Sequence, residues 1–139
     1  MDAPSPSPRK PFWRRWFGNR AERAAWRFLR GLGYRVVARN WTCSVGELDV
    51  VALDGQTIVF VEVRSTEGPS TERPALSVDL AKQRKLTNLA LHFLQQKKLL
   101  NHAARFDVLA LSWPPERGEP MIEHFPNAFE AIGKLQMFH

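Results

Sequence analysis

The chain has 139 residues, 44% of them hydrophobic, and a formal net charge of +6, a size that supports one compact core and leaves no room for a second. Its single cysteine, Cys43, excludes an intramolecular disulfide framework and suits a reducing compartment. No apolar run approaches the roughly 20 residues that span a bilayer, and no continuous hydrophobic signal segment opens the chain, so a cytoplasmic protein is expected.

Residues 1–17 read as a flexible basic and aromatic tail, because Pro4, Pro6, Pro8 and Pro11 alternate with serines and bases and oppose helix. Residues 1–20 carry five basic side chains against one acid, so two thirds of the net charge sits there, and the excess favours polyanionic partners. Lys10 to Phe17 interleaves aromatics with cations, a pattern that suits unpaired bases, phosphates or an anionic membrane surface, or simply a solvated tail. A single α/β domain is expected over 18–139. Its first helix runs from about Asn19 to Leu32, with Ala21, Ala24, Ala25, Phe28, Leu29 and Leu32 on one side, and ends at Gly31/Gly33. Tyr34 to Arg39 reads as a strand and Asn40 to Val45 as a connection.

The next stretch, Gly46 to Arg64, carries the chemistry. Asp54-Gly55 marks a hairpin, and a type I′ turn across it pairs Leu53 with Gln56. That register sets Glu47 against Glu62 and Asp49 against Phe60 on one face, with Arg64 alongside. Leu48, Val50, Ala52, Val59, Val61 and Val63 fill the other face, which must be buried. Like charges roughly 6 Å apart at an effective dielectric near 20 repel by about 3 kcal/mol. Either a hard divalent cation or the Arg64 guanidinium has to offset that repulsion.

Ser65 to Pro74 is polar and broken by two prolines, hence a flexible loop. The second helix spans about Val78 to Leu100, with Leu86, Leu89, Ala90, Phe93 and Leu94 at core spacing. Lys82, Arg84 and Lys85 gather at its start, where cations oppose the helix dipole, so they read either as a solvated face or as phosphate contacts. Arg105 to Trp113 alternates as a strand and Met121 to Phe125 as an edge strand. His92, His102, His124 and His139 lack zinc-ligand spacing, and neither a glycine-rich phosphate loop nor a serine nucleophile elbow is present.

Gly46-Glu47-Leu48-Asp49, Phe60-Val61-Glu62-Val63-Arg64, Lys82-Gln83-Arg84, Arg105-Phe106-Asp107-Val108 and Asn127-Ala128-Phe129, in this order, resemble the YraN family. That is a group of bacterial proteins in the restriction-endonuclease-like, PD-(D/E)xK superfamily, akin to Holliday junction resolvases. The resemblance covers about residues 18–139. It implies a three-layer α/β/α domain around a mixed central sheet, in the order α-β-β-β-α-β-β.

It also implies roles. Asp49 matches the superfamily's metal-binding Asp, Glu62 the second acidic ligand, and a backbone carbonyl near Val63 would complete the set for Mg2+ or Mn2+. Glu22 resembles an acid that the resolvase-like branch supplies from its first helix, although Ala21 stands before it where the family pattern has Gly. Glu47 belongs to the signature and either binds metal or pairs with a neighbour. Gln83 resembles a position that contacts substrate or the acidic cluster, and Lys82, Gln83, Arg84 and Lys85 form the expected nucleic-acid face. Arg64 stands where the superfamily usually has Lys; a guanidinium stays protonated and cannot serve as a base, but Lys82 or Lys85 could reach the site from the helix.

The expected function is a metal-dependent nuclease that hydrolyses phosphodiester bonds of DNA, including branched or structured DNA, with a homodimer allowed because resolvase-like relatives act as dimers. The alternatives are a nucleic-acid-binding module of the same fold without catalysis, and a structural or partner-binding protein whose acids Arg64 neutralises.

Overall fold

A computed structural model describes residues 12–67, 78–114 and 118–132. Its elements are α1 (Phe12–Gly31), β1 (Arg35–Cys43), β2 (Gly46–Asp54), β3 (Thr57–Glu67), α2 (Leu80–Gln96), β4 (Ala104–Trp113) and β5 (Met121–Phe129). The expected order holds. Five elements change bounds. The second helix is Leu80–Gln96 rather than Val78 to Leu100, and the last strand runs on from Phe125 to Phe129. The first helix starts at Phe12 rather than near Asn19, since nothing after Pro11 bars helix, and of the expected tail residues 1–11 lie outside the described residues. The first strand runs through the expected connection to Cys43. The third strand takes Ser65, Thr66 and Glu67 into register with β4, whereas 68–74 of the expected loop lie outside the described residues.

The five strands lie in the order β1-β2-β3-β4-β5, antiparallel except for β3 and β4. A parallel pair needs a crossover, and α2 supplies it. The helices cover opposite faces. On the α2 face Leu86, Leu89, Phe93 and Leu94 pack with Val51, Ile58, Phe60, Phe106 and Val108. On the α1 face Ala21, Ala25 and Leu29 pack with Val50, Val59, Val61, Leu109 and Leu111. The central strands are therefore apolar on both sides, as expected of a three-layer α/β/α domain. No described helix is long and apolar enough to cross a membrane.

Asp79 caps α2 by accepting the Lys82 N–H at 2.8 Å, which fixes where the helix begins and where Lys82 points. Gly46 admits that helix closely: its φ is +156, and a Cβ there would sit 3.2 Å from Lys85 Cε.

Candidate functional site

The hairpin closes differently from the sequence reading, and the site depends on the difference. Asp54 pairs with Thr57 and Leu53 with Ile58, so Gly55 and Gln56 form the turn. Gly55 has φ +62 and Gln56 no positive φ, the glycine-first pattern of a II′ turn rather than I′. The expected register is thus two residues out. Face parity survives, but continuing the observed ladder from Val50↔Val61 brings Asp49, not Glu47, opposite Glu62. One face assignment also fails. Leu48 joins the α2-side core while Val50 joins the α1 side. This break in alternation faces Asn40, whose φ of 53 interrupts β1 between the pairs Arg39↔Val50 and Trp41↔Leu48.

Asp49 is 9% exposed, and its Oδ2 accepts the Val63 N–H at 2.8 Å. The Glu62 side chain is 12% exposed. Burial, and then the adjacent Asp49 charge, push its carboxyl up to about 7; a hydrogen bond between the two side chains adds to the shift, while Lys82 and Arg64 oppose it. Two carboxyl groups can share a hydrogen bond only when one holds a proton. Burial and the Asp49 charge thus hold a proton on Glu62 to higher pH than a solvated carboxyl keeps it.

Two cations flank it unequally. Lys82 Nζ reaches from the first turn of α2 to 3.5 Å from Glu62 Oε2, whereas Arg64 Nε stands 3.9 Å from the same oxygen. Arg64 Nε is thus farther from Glu62 than Lys82 is, and the observed ladder, continued, sets Arg64 opposite Glu47. The ammonium lacking at position 64 arrives from the helix.

The remaining predicted residues divide. Glu22 accepts a 3.0 Å hydrogen bond from Asn40 Nδ2, and Asn40 lies against Asp49 in the sheet, so α1 delivers an acid to the flank of the pair. Glu47 is exposed and pairs with Thr42 on β1, away from Glu62. Gln83 turns its amide to the Val78 carbonyl at 2.8 Å, holding the entry to α2. Arg84 and Lys85 are exposed, with Lys85 lying over Gly46.

Among the described residues no group of three or more His, Cys, Asp or Glu could hold one ion. The oxygen donors brought together are the Asp49 and Glu62 carboxyl groups, beside the Val63 main chain. Magnesium uses one or two protein carboxylates and keeps several waters, so this donor set fits it.

A second polar cluster had no role assigned from sequence. Asp107 is fully buried. It accepts from Arg105 Nε at 2.9 Å and Nη2 at 3.2 Å, from His124 Nε2 at 2.8 Å and from the Asn127 N–H at 2.9 Å. Arg105 also donates to Asp54 Oδ2 at 3.0 Å and Tyr34 Oη at 2.8 Å, and its pKa rises, chiefly through the Asp107 hydrogen bond. The Asn127 amide arrives through a bulge in β5, where Phe106 pairs with Phe129 but Val108 with Phe125. A lone Asp between Phe106 and Val108 in a buried strand was the available signal.

A single sheet with one helix on each face, and a buried acid pair at the β2–β3 hairpin, define a small α/β nuclease-like domain. The family model of "Uncharacterised protein family UPF0102", the YraN family, matches residues 21–111. A UPF0102 protein of Myxococcus xanthus is 44% identical over 121 residues, 87% of this chain and 94% of its own length. Counterparts in Geotalea daltonii and Pseudomonas putida are 42% and 43% identical, each over 81% of this chain and over 88% and 92% of their own. The chain belongs to the UPF0102 family.

Proposed function

We propose that the protein is a metal-dependent phosphodiesterase acting on nucleic acid, DNA in the first instance, in the cytoplasm. The observation that carries this reading is the Asp49–Glu62 pair, two adjacent and largely buried carboxyls, with Lys82 Nζ 3.5 Å from Glu62 Oε2. A fold built only for stability gains nothing from two carboxyls in contact.

Asp49 and Glu62 would hold magnesium, with Val63 adjacent and Glu22 behind Asn40. When bound, the ion supplies Lewis acidity toward a phosphate oxygen and lowers the pKa of a water. The chain's own groups do the rest. The Val63 N–H holds Asp49 through its Oδ2. Lys82 and Arg64 lie where charge on a phosphate must be balanced. Glu62 releases its proton near pH 7, so the dianionic pair forms only at and above neutrality. Lys85 and Arg84, on the exposed side of α2, would contact flanking phosphates without reading bases.

The test is a panel of branched, single-stranded and duplex substrates with magnesium, comparing the wild type with Asp49→Ala and Lys82→Ala. Loss of cleavage by both variants, with the fold retained, supports the reading. Cleavage unchanged in Asp49→Ala would reveal a contaminant. Binding without cleavage in every case would leave a nucleic-acid-binding module. A homodimer is the state expected if junctions prove the best substrate, and sedimentation of the protein alone reads it.

A further inference from the structure

Away from Glu22, α1 sends Arg20, Arg23 and Arg27 along a cleft of about 390 Å3. Its other wall is Gly118, Glu119 and Pro120, and Trp113 and Ala24 also line it. The arginines follow the i, i+3, i+7 spacing of one helical stripe. A row of bases on a helix is usually a solvated face. Three observations set this one apart. The row lines a concave cleft whose lining, among the described residues, holds three arginines and one acid, Glu119. Cations three and four residues apart repel along a helix, a cost that an anion offsets. And the Arg20 guanidinium lies 4.0 Å above the Trp113 ring, while that indole is anchored through its N–H to Ser65 Oγ at 2.7 Å.

Ser65 lies three residues beyond Glu62 on β3, about 10 Å along a strand rising roughly 3.3 Å per residue, so it stands with Trp113 on the α1 face while Glu62 meets Lys82 on the α2 face. The cleft's volume falls at the lower end of small-ligand sites, which suits one nucleotide and not a duplex. Its composition is mixed in the same sense: cations for phosphate, with Trp113, Ala24 and Pro120 for a base.

We propose that this cleft binds an unpaired nucleotide of a nucleic-acid strand, with Arg23 and Arg27 on its phosphates and the Arg20 guanidinium, held over Trp113, as the plane against which the base stacks. This rests on the nucleic-acid reading above but not on cleavage.

The test is fluorescence anisotropy of a labelled oligothymidylate with the full chain in EDTA, where no hydrolysis intervenes. Arg23→Glu/Arg27→Glu should weaken binding at least tenfold and reduce the slope of log K against log salt by about 1.4, at roughly 0.7 per single-strand phosphate. Arg35→Glu, an exposed cation on β1 outside the cleft, should leave binding unchanged. Arg20→Lys, which keeps charge but loses the plane, should weaken the oligonucleotide while sparing polyglutamate. Equal affinity in the double variant with an unchanged melting curve overturns the assignment, as does displacement of the oligonucleotide by polyglutamate at equal charge. Binding that depends on Arg23 and Arg27 in a protein that never cuts would sink the nuclease reading and leave the cleft standing. Cutting that survives loss of both arginines, with binding unaltered, would do the reverse.

Discussion

Asp107 and Asp49 are both buried aspartates on neighbouring parts of one sheet, yet their surroundings are opposite. Around Asp107 the fold assembles a guanidinium, an imidazole and a bulged backbone amide, so every oxygen is matched by a donor. Around Asp49 it brings a second carboxyl into contact and leaves Glu62 protonated to about pH 7. Burial alone therefore does not mark a functional acid. What marks it is burial beside a like charge, an arrangement that stability disfavours and that a cation or a phosphate-bound ion would relieve.

The sharpest way to break the comparison is to make the same substitution at both positions. In Asp107→Asn the new amide hydrogens face the Arg105 and His124 donors, and the guanidinium loses its buried partner. We expect a loss of about 3 kcal/mol or more in denaturant unfolding. Asp49→Asn keeps an acceptor for the Val63 N–H and removes the repulsion with Glu62, so its stability should be unchanged or higher by about 1 kcal/mol. Equal losses at the two sites would erase the distinction.

Next in size is a pH effect. Glu62 ionises near 7 in the folded chain, against an ordinary value of 4.5 for a solvated glutamate, so between those values the folded chain holds a proton that the unfolded chain has released. Its contribution to stability is complete below about pH 4.5 and is lost as pH rises through about 7. At 1.36 kcal/mol per pH unit the whole effect amounts to roughly 3 kcal/mol. The difference between wild type and Glu62→Gln, followed by urea unfolding across this range, should track that loss. A difference that does not vary with pH would show that the pair is not coupled.

Sequence patterning carried the fold a long way. Apolar runs flanked by helices at 3.6-residue spacing defined three layers, and five separated motifs pointed to the family that the comparisons bear out. The site was less legible, for reasons visible in single residues. Asp54-Gly55 signals a hairpin but not which of two adjacent residue pairs turns, and that choice decides whether Asp49 or Glu47 meets Glu62. Asn40 appeared as part of a connection, because a positive φ in mid-strand leaves no periodic trace. The Asp107 cluster draws on Tyr34, Asp54, Arg105, His124 and Asn127, separations that only the folded sheet closes.

Two smaller effects refine the picture. Asn40→Val should cost about 1 to 3 kcal/mol, because a β-branched side chain is strained at φ 53, whereas Asn40→Gly should cost much less while still freeing Glu22 from its 3.0 Å hydrogen bond. Thermal melts of the two variants separate strain from hydrogen bonding. Lys82→Met should change stability by less than about 1 kcal/mol, since its side chain is 39% exposed and screened. It should nonetheless move the Glu62 titration, followed by carboxyl NMR, above about 7.

The Asp49 and Glu62 carboxyls are held together, on this account, in order to take up a hard cation. Isothermal calorimetry with manganese tests that without any substrate. One ion should bind per chain, with affinity that rises as pH passes about 7, and Asp49→Asn or Glu62→Gln should abolish the heat while Glu47→Gln leaves it. No uptake at any pH, or uptake indifferent to both acids, would contradict it.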